Sequence, residues 1–525
     1  MKPGFRQSMA WLHTWSGLLV GWVLFAVFLT GTAAYLRPEI SLWMRPELEV
    51  TRPGPEIAPR LMEAMARLAP TSPTWTIGIP TARDPVARVF WRDPEAPNRR
   101  GFRDAALHPV TGEVLTARTT RGGEFFYRFH FDLHYMSPIV GRWIVSTCAM
   151  FMLVAIISGI VTHRRIFADF FTFRPGKGQR SWLDGHAVAA VLALPYHLMI
   201  TYTGLVTLMF ITMPWGAQLA YKGDRATMNA DIFGNAPVTR PAGRPAPLVE
   251  IGPLVKEAAR RWEGGNVGRI TVQNPGDARA TIQLVRQDSE RISFNPQSLL
   301  FDGTTGALIS ATGEAALPAA ETRGVMYGLH VGRFAGPLLR GLFLLSGLAG
   351  TLMVATGCVL WAVRTRQQAA KRGQIGFGTR LVEHLNIAAI AGLPVAMATF
   401  FWANRLLPAQ MEGRAEWEIH LFFAAWGLCL LHPLLRSGRR AWVEQLGLGA
   451  FLFALLPLLN LATTRRHLGV TLAEGDWIRA GFDLGLLALG AALGTVALLV
   501  ARHGRTRPGT RRRAAAPLAT AEAAE

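Results

Sequence analysis

Histidine is the residue type in this sequence whose spacing could support chemistry, because a neutral imidazole is the commonest metal ligand in proteins. His13 precedes Thr30-Gly31 by 17 residues, and His186 precedes Thr203-Gly204 by 17 residues. One imidazole from each of two facing helices is the ligand set of a six-coordinate b-type haem. The repeated spacing therefore predicts that His13 and His186 hold one haem.

A second repeat involves His134 and His330. Asp132-Leu133-His134 resembles Gly328-Leu329-His330, and the dipeptides Ser158-Gly159 and Thr356-Gly357 follow these histidines along the chain. Two copies of one unit suggest two halves related by a pseudo-two-fold axis, with equivalent residues facing each other. We therefore expect a second haem between His134 and His330, so that the predicted cofactor is two molecules of haem b.

Other histidines extend these pairs or compete with them. His197 follows His186 by eleven residues, close to three helical turns, which predicts the same helix face about 16 Å deeper in the membrane. His163 is an alternative ligand for the first haem, and His130, four residues before His134, competes with it as a ligand or as a neighbouring group. The remaining histidines considered are expected to be structural or exposed: His108, His384, His420, His432 and His503.

Long uncharged runs indicate the elements that position the histidines. Hydrophobic residues make up 50% of the chain and charged residues 17%, and a membrane-spanning helix needs about 20 apolar residues. We predict a mainly α-helical membrane protein with eight transmembrane helices. The runs without Asp, Glu, Lys or Arg are 11–36, 143–162, 185–221, 341–363, 384–404, 419–435, 445–464 and 484–501.

The charge distribution gives the expected orientation. The net charge is +20, and cations cluster at alternate helix ends, for example at Arg164 and Arg165. Short loops rich in Lys and Arg mark the cytoplasmic side, which predicts a multi-pass protein of the bacterial inner membrane with both termini in the cytoplasm. Because the cations are spread over several loops and tails, a nucleic-acid surface is excluded. Cys148, Cys358 and Cys429 lie in predicted spans, which excludes a disulfide framework.

Two polar segments, 37–138 and 222–337, follow the first and third predicted spans and are expected in the periplasm. Each contains an amphipathic helix followed by apolar residues of period two, which indicates a small α+β module on an antiparallel sheet. The predicted helices are 57–68 and 253–262, the predicted strands are 74–79, 86–91, 269–273, 280–285, 293–295 and 299–301, and 105–114 is a hairpin.

The rest of the chain is divided by the same criteria. The predicted divisions are a tail and first span at 1–36, the second span, a loop and the third span at 139–221, the fourth span at 338–363, a basic cytoplasmic loop at 364–383, four further spans at 384–501 and a basic tail at 502–525.

Several stretches together resemble the PepSY-associated transmembrane family. They are His13-Thr14-Trp15-Ser16-Gly17-Leu18, the stretch from Leu194-Pro195-Tyr196-His197 to Thr203-Gly204, and the helix that runs from Leu329-His330 to Gly357. The resemblance covers nearly the whole chain, in a long form with four additional C-terminal helices and two PepSY-like modules. It implies a role in bacterial iron uptake, because some members resemble inner-membrane ferric-siderophore reductases that carry two haems.

The function expected from the resemblance and the histidines is transmembrane electron transfer. A donor would reduce a haem held by His13 and His186, His197 would extend the relay, and a haem held by His134 and His330 would reduce a ferric siderophore or another Fe(III) chelate in the periplasm. No Gly-x-Gly-x-x-Gly fingerprint follows a strand, so direct NAD(P)H reduction is not indicated. A quinol or a separate flavoprotein is the expected donor.

Two other classes of function are compatible with the sequence. In the first, the outer modules bind or regulate a periplasmic partner and the histidines are structural. In the second, the helix bundle is a permease for a metal chelate, which would be expected to show buried carboxylates or broken helix pairs near the membrane midplane. Pro195 and Pro394, near the middles of uncharged runs, are a hint of such breaks.

Overall fold

The first half of the chain alternates long apolar helices with a small mixed segment. The computed structural model describes residues 4–49, 57–93, 95–96, 101–163, 174, 179–224, 227–228, 239–314, 318–436 and 438–502. The first half contains α1 (Phe5–Ala34), α2 (Arg37–Trp43), α3 (Ile57–Leu68), β1 (Thr74–Gly78), β2 (Ala87–Arg92), β3 (Phe102–Leu107), β4 (Val114–Leu115), α4 (Gly123–Asp132) and α5 (Pro138–Thr162).

The second half repeats this order. It contains α6 (Gln179–Leu192), α7 (Leu194–Thr207), α8 (Met209–Thr212), α9 (Trp215–Tyr221), α10 (Ile251–Arg261), β5 (Val267–Gln273), β6 (Thr281–Arg286), a 3₁₀ turn (Asp288–Glu290), β7 (Ser298–Asp302), β8 (Leu308–Thr312), α11 (Pro318–Val331) and α12 (Pro337–Lys371).

A C-terminal group of helices follows the two halves. It contains α13 (Phe377–Asn386), a π-helical turn (Ile387–Ala391), α14 (Gly392–Leu406), α15 (Arg414–Leu435), α16 (Arg439–Thr463), α17 (Leu468–Ala473) and α18 (Trp477–Arg502). The basic residues predicted for the cytoplasmic side at Arg164, Arg165 and 503–525 lie outside the described residues.

Seven helices are long and apolar enough to cross a membrane, and α13, the π-helical turn and α14 count as one of them. An eighth crossing is possible through α6 and α7, which are bent by 68° relative to each other. The protein is therefore a multi-pass membrane protein. The described residues thus bear out a mostly helical membrane protein and provide seven or eight candidate spans.

The bend between α6 and α7 corrects one expectation. The uncharged run at 185–221 predicts a single helix, but the chain breaks at Ala193, and two short helices follow α7 before Lys222. Pro195 lies in the first turn of α7, where it lacks the N–H that would continue the hydrogen-bond ladder of α6. His186 and His197 therefore lie on two different helices and not on the same face of one continuous helix.

The two polar segments form one sheet instead of two separate ones. Its eight strands have the order β4-β3-β2-β1-β5-β6-β7-β8, and neighbouring strands are antiparallel. The halves join where β1 pairs with β5, with Trp75 opposite Val272. Because the two segments pair, both lie on the same side of the membrane helices. We call this the sheet side and the opposite face of the bundle the far side.

Most predicted elements of these segments are confirmed, including α3 at its predicted limits and β5, β6 and β7 within a few residues. The strand predicted at 293–295 is wrong, because this stretch is irregular and lies between the 3₁₀ turn and β7. Ser293 and Asn295 instead contact Gly324 of α11. This stretch therefore packs against a helix and does not pair with a strand.

One face of the sheet is a closed apolar core. Alternate residues of the central strands, such as Ile77, Ile270 and Ile282, are fully buried beneath α3 and α10. Replacing Ile270 with Ala should lower the free energy of unfolding by about 2–5 kcal/mol, because the lost methyl groups leave a cavity. Ile309→Ala is the matched control, since Ile309 is 55% exposed on the edge strand β8. Equal losses in chemical denaturation of the two variants would contradict this packing.

The membrane helices of the two halves pack around each other. In the first half α1 packs on α5, and in the second α6 packs on α12; between the halves α1 packs on α12 and α7 on α5. The C-terminal helices lie beside the first half, where the π-helical turn contacts α1 and α18 contacts α2. The membrane helices of the two halves thus form one bundle, and the C-terminal helices pack on the side of this bundle formed by the first half.

Charged side chains are buried at the sheet-side ends of the C-terminal helices. Glu418, Asp483 and Arg414 are fully buried, although each lies just outside an uncharged run of the sequence. Glu418 accepts hydrogen bonds from Arg414 and from Asn404 (2.7 Å). Since a buried charge needs a partner, these groups form a paired network that fastens the C-terminal helices together.

Candidate functional site

His13 and His186 face each other on the far side of the bundle. Their ring centroids are 6.2 Å apart and the ring planes are inclined by 66°. His13 lies on α1 and His186 on α6, so each half of the chain contributes one imidazole. The structure thus brings together the two histidines that share a sequence spacing, and we call them the far-side pair.

The neighbouring helices fix the orientation of both rings in the same way. The Nδ1 atom of His13 lies 2.8 Å from the carbonyl oxygen of Ala155, and that of His186 lies 2.9 Å from the carbonyl oxygen of Met353. Gly159 follows Ala155 by four residues, and a Cβ atom there would lie 3.0 Å from the His13 ring. Gly357 follows Met353 by four residues, and a Cβ atom there would lie 3.2 Å from the His186 ring. Glycine therefore lets each imidazole rest on the backbone of the facing helix.

A second pair lies on the sheet side and consists of His130 and His330. Their ring centroids are 6.4 Å apart and the rings are nearly parallel, at 23°. His130 lies on α4 and His330 on α11, so this pair also takes one residue from each half. We call it the sheet-side pair. The residue that faces His330 is therefore His130, the competitor in the sequence, and not His134.

The sheet-side pair rests on the same kind of dipeptide as the far-side pair. The His330 ring lies on Gly204, where a Cβ atom would be 3.1 Å away, and its Nδ1 atom lies 3.1 Å from the Thr203 hydroxyl. The His130 ring lies on Gly31, where a Cβ atom would be 3.6 Å away. The Nδ1 atom of His130 is buried without a hydrogen-bond partner.

His134 lies on the other side of the chain reversal that follows α4. The backbone of Leu133 and Tyr135 has positive φ values of 55° and 56°, which turns the chain sharply between α4 and α5. The His134 ring stacks on Phe423 of α15, with centroids 5.3 Å apart. His134 consequently belongs to the contact with the C-terminal helices, where Tyr135 also bonds His420.

A tyrosine repeat in the sequence predicts the pairing of His130 with His330. Tyr127-Arg128-Phe129-His130 and Tyr327-Gly328-Leu329-His330 both place tyrosine three residues before histidine. Residues three apart share a helix face, and the Tyr127 and Tyr327 hydroxyls approach each other beside the histidine pair. The four Ser/Thr-Gly dipeptides that marked the repeat are the surfaces on which the four histidines rest, and spacing alone did not reveal this.

His197 lies between the two pairs. It is fully buried, and neither ring nitrogen has a hydrogen-bond partner of normal geometry. Its Nε2 atom would lie 3.2 Å from a Cβ atom at Gly350 of α12. Gly350 precedes Gly357, on which His186 rests, by seven residues, or about 10 Å of helix. Since Gly204 also follows His197 by seven residues, His197 is roughly midway between the far-side and sheet-side pairs.

The separation of the pairs follows from the length of α1. His13 and Gly31 are both on this continuous helix, 18 residues apart, which corresponds to about 27 Å. This distance is close to the thickness of the hydrocarbon core of a bilayer, about 30 Å. The two pairs therefore lie near opposite faces of the membrane part, with His197 inside it.

The sheet-side imidazoles are neutral at physiological pH. Burial lowers the pKa of His130 to about 4 and that of His330 to about 3. A neutral imidazole keeps a lone pair on one ring nitrogen and can bind a metal ion there. Both residues are therefore in the protonation state that metal ligation requires.

The other histidines have different surroundings. His163 follows the last residue of α5 at its C-terminal cap. His384 bonds the carbonyl oxygen of Arg380 in its own helix, and His432 bonds Glu444. His108 accepts backbone hydrogen bonds in the turn before β4. His503 lies outside the described residues.

The donor atoms suit a metal whose remaining ligands come from elsewhere. Each pair brings two imidazoles together, with ring centroids 6.2 Å and 6.4 Å apart. In the described part of the chain no hydrogen bond occupies Nε2 of His13, His186 or His330. No group of three His, Cys, Asp or Glu side chains among these residues could hold a metal ion. Two histidines per site therefore suit a group such as haem, which would supply the remaining ligands of its own iron.

Comparison with known proteins gives two findings. The family model for the "PepSY-associated TM region" matches residues 10–364, which include both histidine pairs and end within α12. An uncharacterized protein of Pseudomonas aeruginosa is 28% identical over 367 residues, which cover 67% of this chain and 89% of that protein. The resemblance inferred from the sequence motifs is thereby confirmed at the level of the family.

Proposed function

The chain belongs to the family of PepSY-associated TM regions, and from this premise we propose that it is a haem-containing electron-transfer protein of the bacterial inner membrane. It reduces a ferric siderophore or another Fe(III) chelate on the periplasmic side during iron uptake. The observation that carries the proposal is the pair of facing histidines at each side of the bundle, each with ring centroids 6.2–6.4 Å apart.

Four residues of this chain would hold the haems: His13 and His186 on the far side, and His130 and His330 on the sheet side. When bound, two haems would supply one-electron redox chemistry at iron, with a potential set by the ligands and by burial. The contacts of Nδ1 with Ala155, Met353 and Thr203 orient three of the rings. An imidazole whose second nitrogen is held in this way presents Nε2 to a metal in a fixed direction.

The fully buried His197 has a separate assignment. It lies between the pairs with both nitrogens unpaired, in a region where ionisable groups are expensive and usually functional. We assign it to the path between the pairs, beside Phe28 at 6.3 Å between ring centroids. His163 stays an alternative ligand on the far side, and His134 loses its assignment as the partner of His330.

The proposed topology has eight spans with both termini in the cytoplasm. The pairing of β1 with β5 supports this count, since the chain must cross the membrane twice between these strands, once by α5 and once by α6 with α7. The eight-stranded sheet with its two flanking helices then represents two fused PepSY-like modules in the periplasm. The sheet-side pair lies beneath it, closest to the compartment of the iron chelate.

The proposed reaction is a one-electron reduction of Fe(III) to Fe(II). Siderophores hold Fe(III) far more tightly than Fe(II), so the electron releases the metal from the chelate. The donor is a quinol or a separate flavoprotein, since no dinucleotide fingerprint occurs in the sequence. The chain contributes axial ligands, a dry low-dielectric interior between them and a surface for the chelate.

Absorption spectroscopy of the purified protein tests the proposal. We expect a Soret band and, after reduction with dithionite, the α and β bands of six-coordinate b-type haem. A haem determination should give two haems per chain, and ferric-chelate reduction should depend on them. Protein that folds in a haem-producing host but lacks these bands would eliminate the proposal.

The glycine beneath His186 provides a more local prediction. Gly357→Val should displace the ring, because even a Cβ atom would lie 3.2 Å from it, and should weaken haem retention on the far side about 10- to 100-fold. Gly341→Val in the same helix is the matched control, since nothing lies within 4 Å of its Cβ position. Unchanged haem content in both variants would argue against His186 as a ligand.

A permease for a metal chelate is the second candidate, favoured by the bent helix pair α6–α7. The buried carboxylates Glu418 and Asp483 do not add to it, because both are hydrogen-bonded to neighbouring side chains. Uptake of radioactive iron into proteoliposomes without a reductant would support this candidate and not the electron-transfer proposal.

A further inference from the structure

An apolar groove lies on the sheet-side half of the bundle, between α7 and α11, with a volume of about 400 Å³. This volume falls within the range of small-molecule sites, about 300–1,000 Å³. Its lining includes Tyr202, Val206 and Met209 from one side and Thr322, Arg323 and Met326 from the other.

The repeat explains why this groove is open. The spacing of His13 and His186 makes Leu29 and Ala33 of α1 equivalent to Tyr202 and Val206, and the Tyr-x-x-His repeat makes Phe126 of α4 equivalent to Met326. In the first half Leu29 and Ala33 pack against the main apolar core, and Phe126 lies 5.3 Å from Phe400 of α14 between ring centroids.

No C-terminal helix covers the equivalent surface of the second half within the described residues. The groove is therefore the place where the second half lacks the cover that α14 provides for the first half. The same asymmetry predicts a single groove per chain.

The groove opens towards lipid. Leu198 and Tyr202, one helical turn apart, form an exposed stripe of α7 and are 44% and 53% exposed. An occupant must therefore be lipophilic along most of its length. Polar groups are present as well: Tyr202 brings its hydroxyl group to the lining, and the Arg323 guanidinium lies 5.3 Å from the Phe210 ring centroid.

The groove adjoins the sheet-side pair. Gly204, on which the His330 ring rests, lies between Tyr202 and Val206 on α7. Met326 precedes His330 by four residues on α11 and so shares its helix face. Met326 is thus about one helical turn, roughly 5.4 Å, from His330 along α11.

We propose that this groove binds a membrane quinol, an aromatic ring with two hydroxyl groups and an isoprenoid tail. The ring lies at Tyr202 and Arg323, which hydrogen-bond its oxygen atoms, and the tail follows the lipid-facing stripe of α7. This inference rests on the proposed function and names its electron donor. It corrects the route expected from the sequence, because electrons from this groove enter at the sheet-side pair and not at the far-side pair. Oxidation of one quinol to the quinone releases two electrons and two protons, and two ferric ions take up the electrons one at a time while the protons leave to water on the sheet side.

Photolabelling tests the site without relying on catalysis. The probe is an azido-benzoquinone with a ten-carbon tail, applied to the purified full-length protein in phospholipid nanodiscs. We expect saturable labelling of peptides from α7 and α11, displaced by unlabelled quinone. Ala319→Phe fills the groove and should lower labelling about tenfold or more, whereas Ala492→Phe on the lipid-facing side of α18 should leave it unchanged. Tyr202→Phe should weaken binding about fivefold through the loss of one hydrogen bond.

Each outcome decides the question. Labelling elsewhere, labelling that does not saturate, or equal labelling of the Ala319→Phe and Ala492→Phe proteins overturns the proposal and leaves the groove to a lipid chain or a partner helix. Because the probe does not require haem, saturable labelling of a protein without haem bands would retain the quinone site and reject the proposed function. Haem bands without labelling would do the reverse.

Discussion

Replacing His330 with Ala is expected to remove one of the two proposed haems and to abolish reduction of ferric chelates. His130→Ala should remove the same haem, because His130 is the imidazole that faces His330, with ring centroids 6.4 Å apart. The remaining haem should be the far-side one, held by His13 and His186. A haem determination and reduced-minus-oxidised spectra of the purified variants measure this.

His134→Ala is the matched control for this prediction. His134 is four residues from His130 but stacks on Phe423, so its loss should leave both haems in place. Loss of a haem in the His134 variant together with full retention in the His130 variant would restore the pairing expected from the sequence. The double variant His130→Ala with His330→Ala should lose no more haem than either single variant, since both act on one site.

Glu418→Ala is expected to lower the free energy of unfolding by about 3–5 kcal/mol, because it leaves the buried Arg414 charge without its carboxylate partner. Both side chains are fully buried, and Glu418 also accepts hydrogen bonds from Asn404 and Thr120. Thr120 belongs to the segment before α4, so the loss should also loosen the contact between the C-terminal helices and the first half. Thermal unfolding in detergent, followed by tryptophan fluorescence, measures the change.

Glu416→Ala on the same helix is the control. Glu416 is 54% exposed and pairs with Arg121, itself 55% exposed, and such surface pairs contribute about 0–1 kcal/mol. Similar melting temperatures for the Glu416 and Glu418 variants would show that the buried network does not stabilise the protein. Glu418→Gln, which keeps the size of the side chain, separates the effect of charge from that of packing.

The contacts of α4 suggest what the C-terminal helices do. Phe125 and Phe126 of α4 lie 5.0 Å and 5.3 Å from the Phe400 ring, and the same helix carries His130. A helix of ten residues has little stability of its own. The aromatic contacts therefore hold α4, and with it one member of the sheet-side pair, against the membrane part.

Local sequence patterns determined much of the architecture. A long uncharged run needs a hydrocarbon environment wherever it lies in the chain, so the apolar helices could be recognised from the sequence alone. Alternation of period two gave β5 and β6, because each strand has one face towards a core. The matched spacing from His13 and His186 to their Thr-Gly dipeptides revealed the repeat and the far-side pair, since both lie on regular helices.

Only the tertiary structure decided how these parts meet. The sequence could not distinguish His130 from His134 as the neighbour of His330, because a turn with positive φ at Leu133 and Tyr135 directs His134 away. It did not show that β1 and β5 join the two segments into one sheet, since strand partners far apart in the chain leave no local pattern. The bend at Ala193 and the burial of Glu418 likewise depend on neighbours from other helices, and burial is a property of the packed molecule and not of the chain.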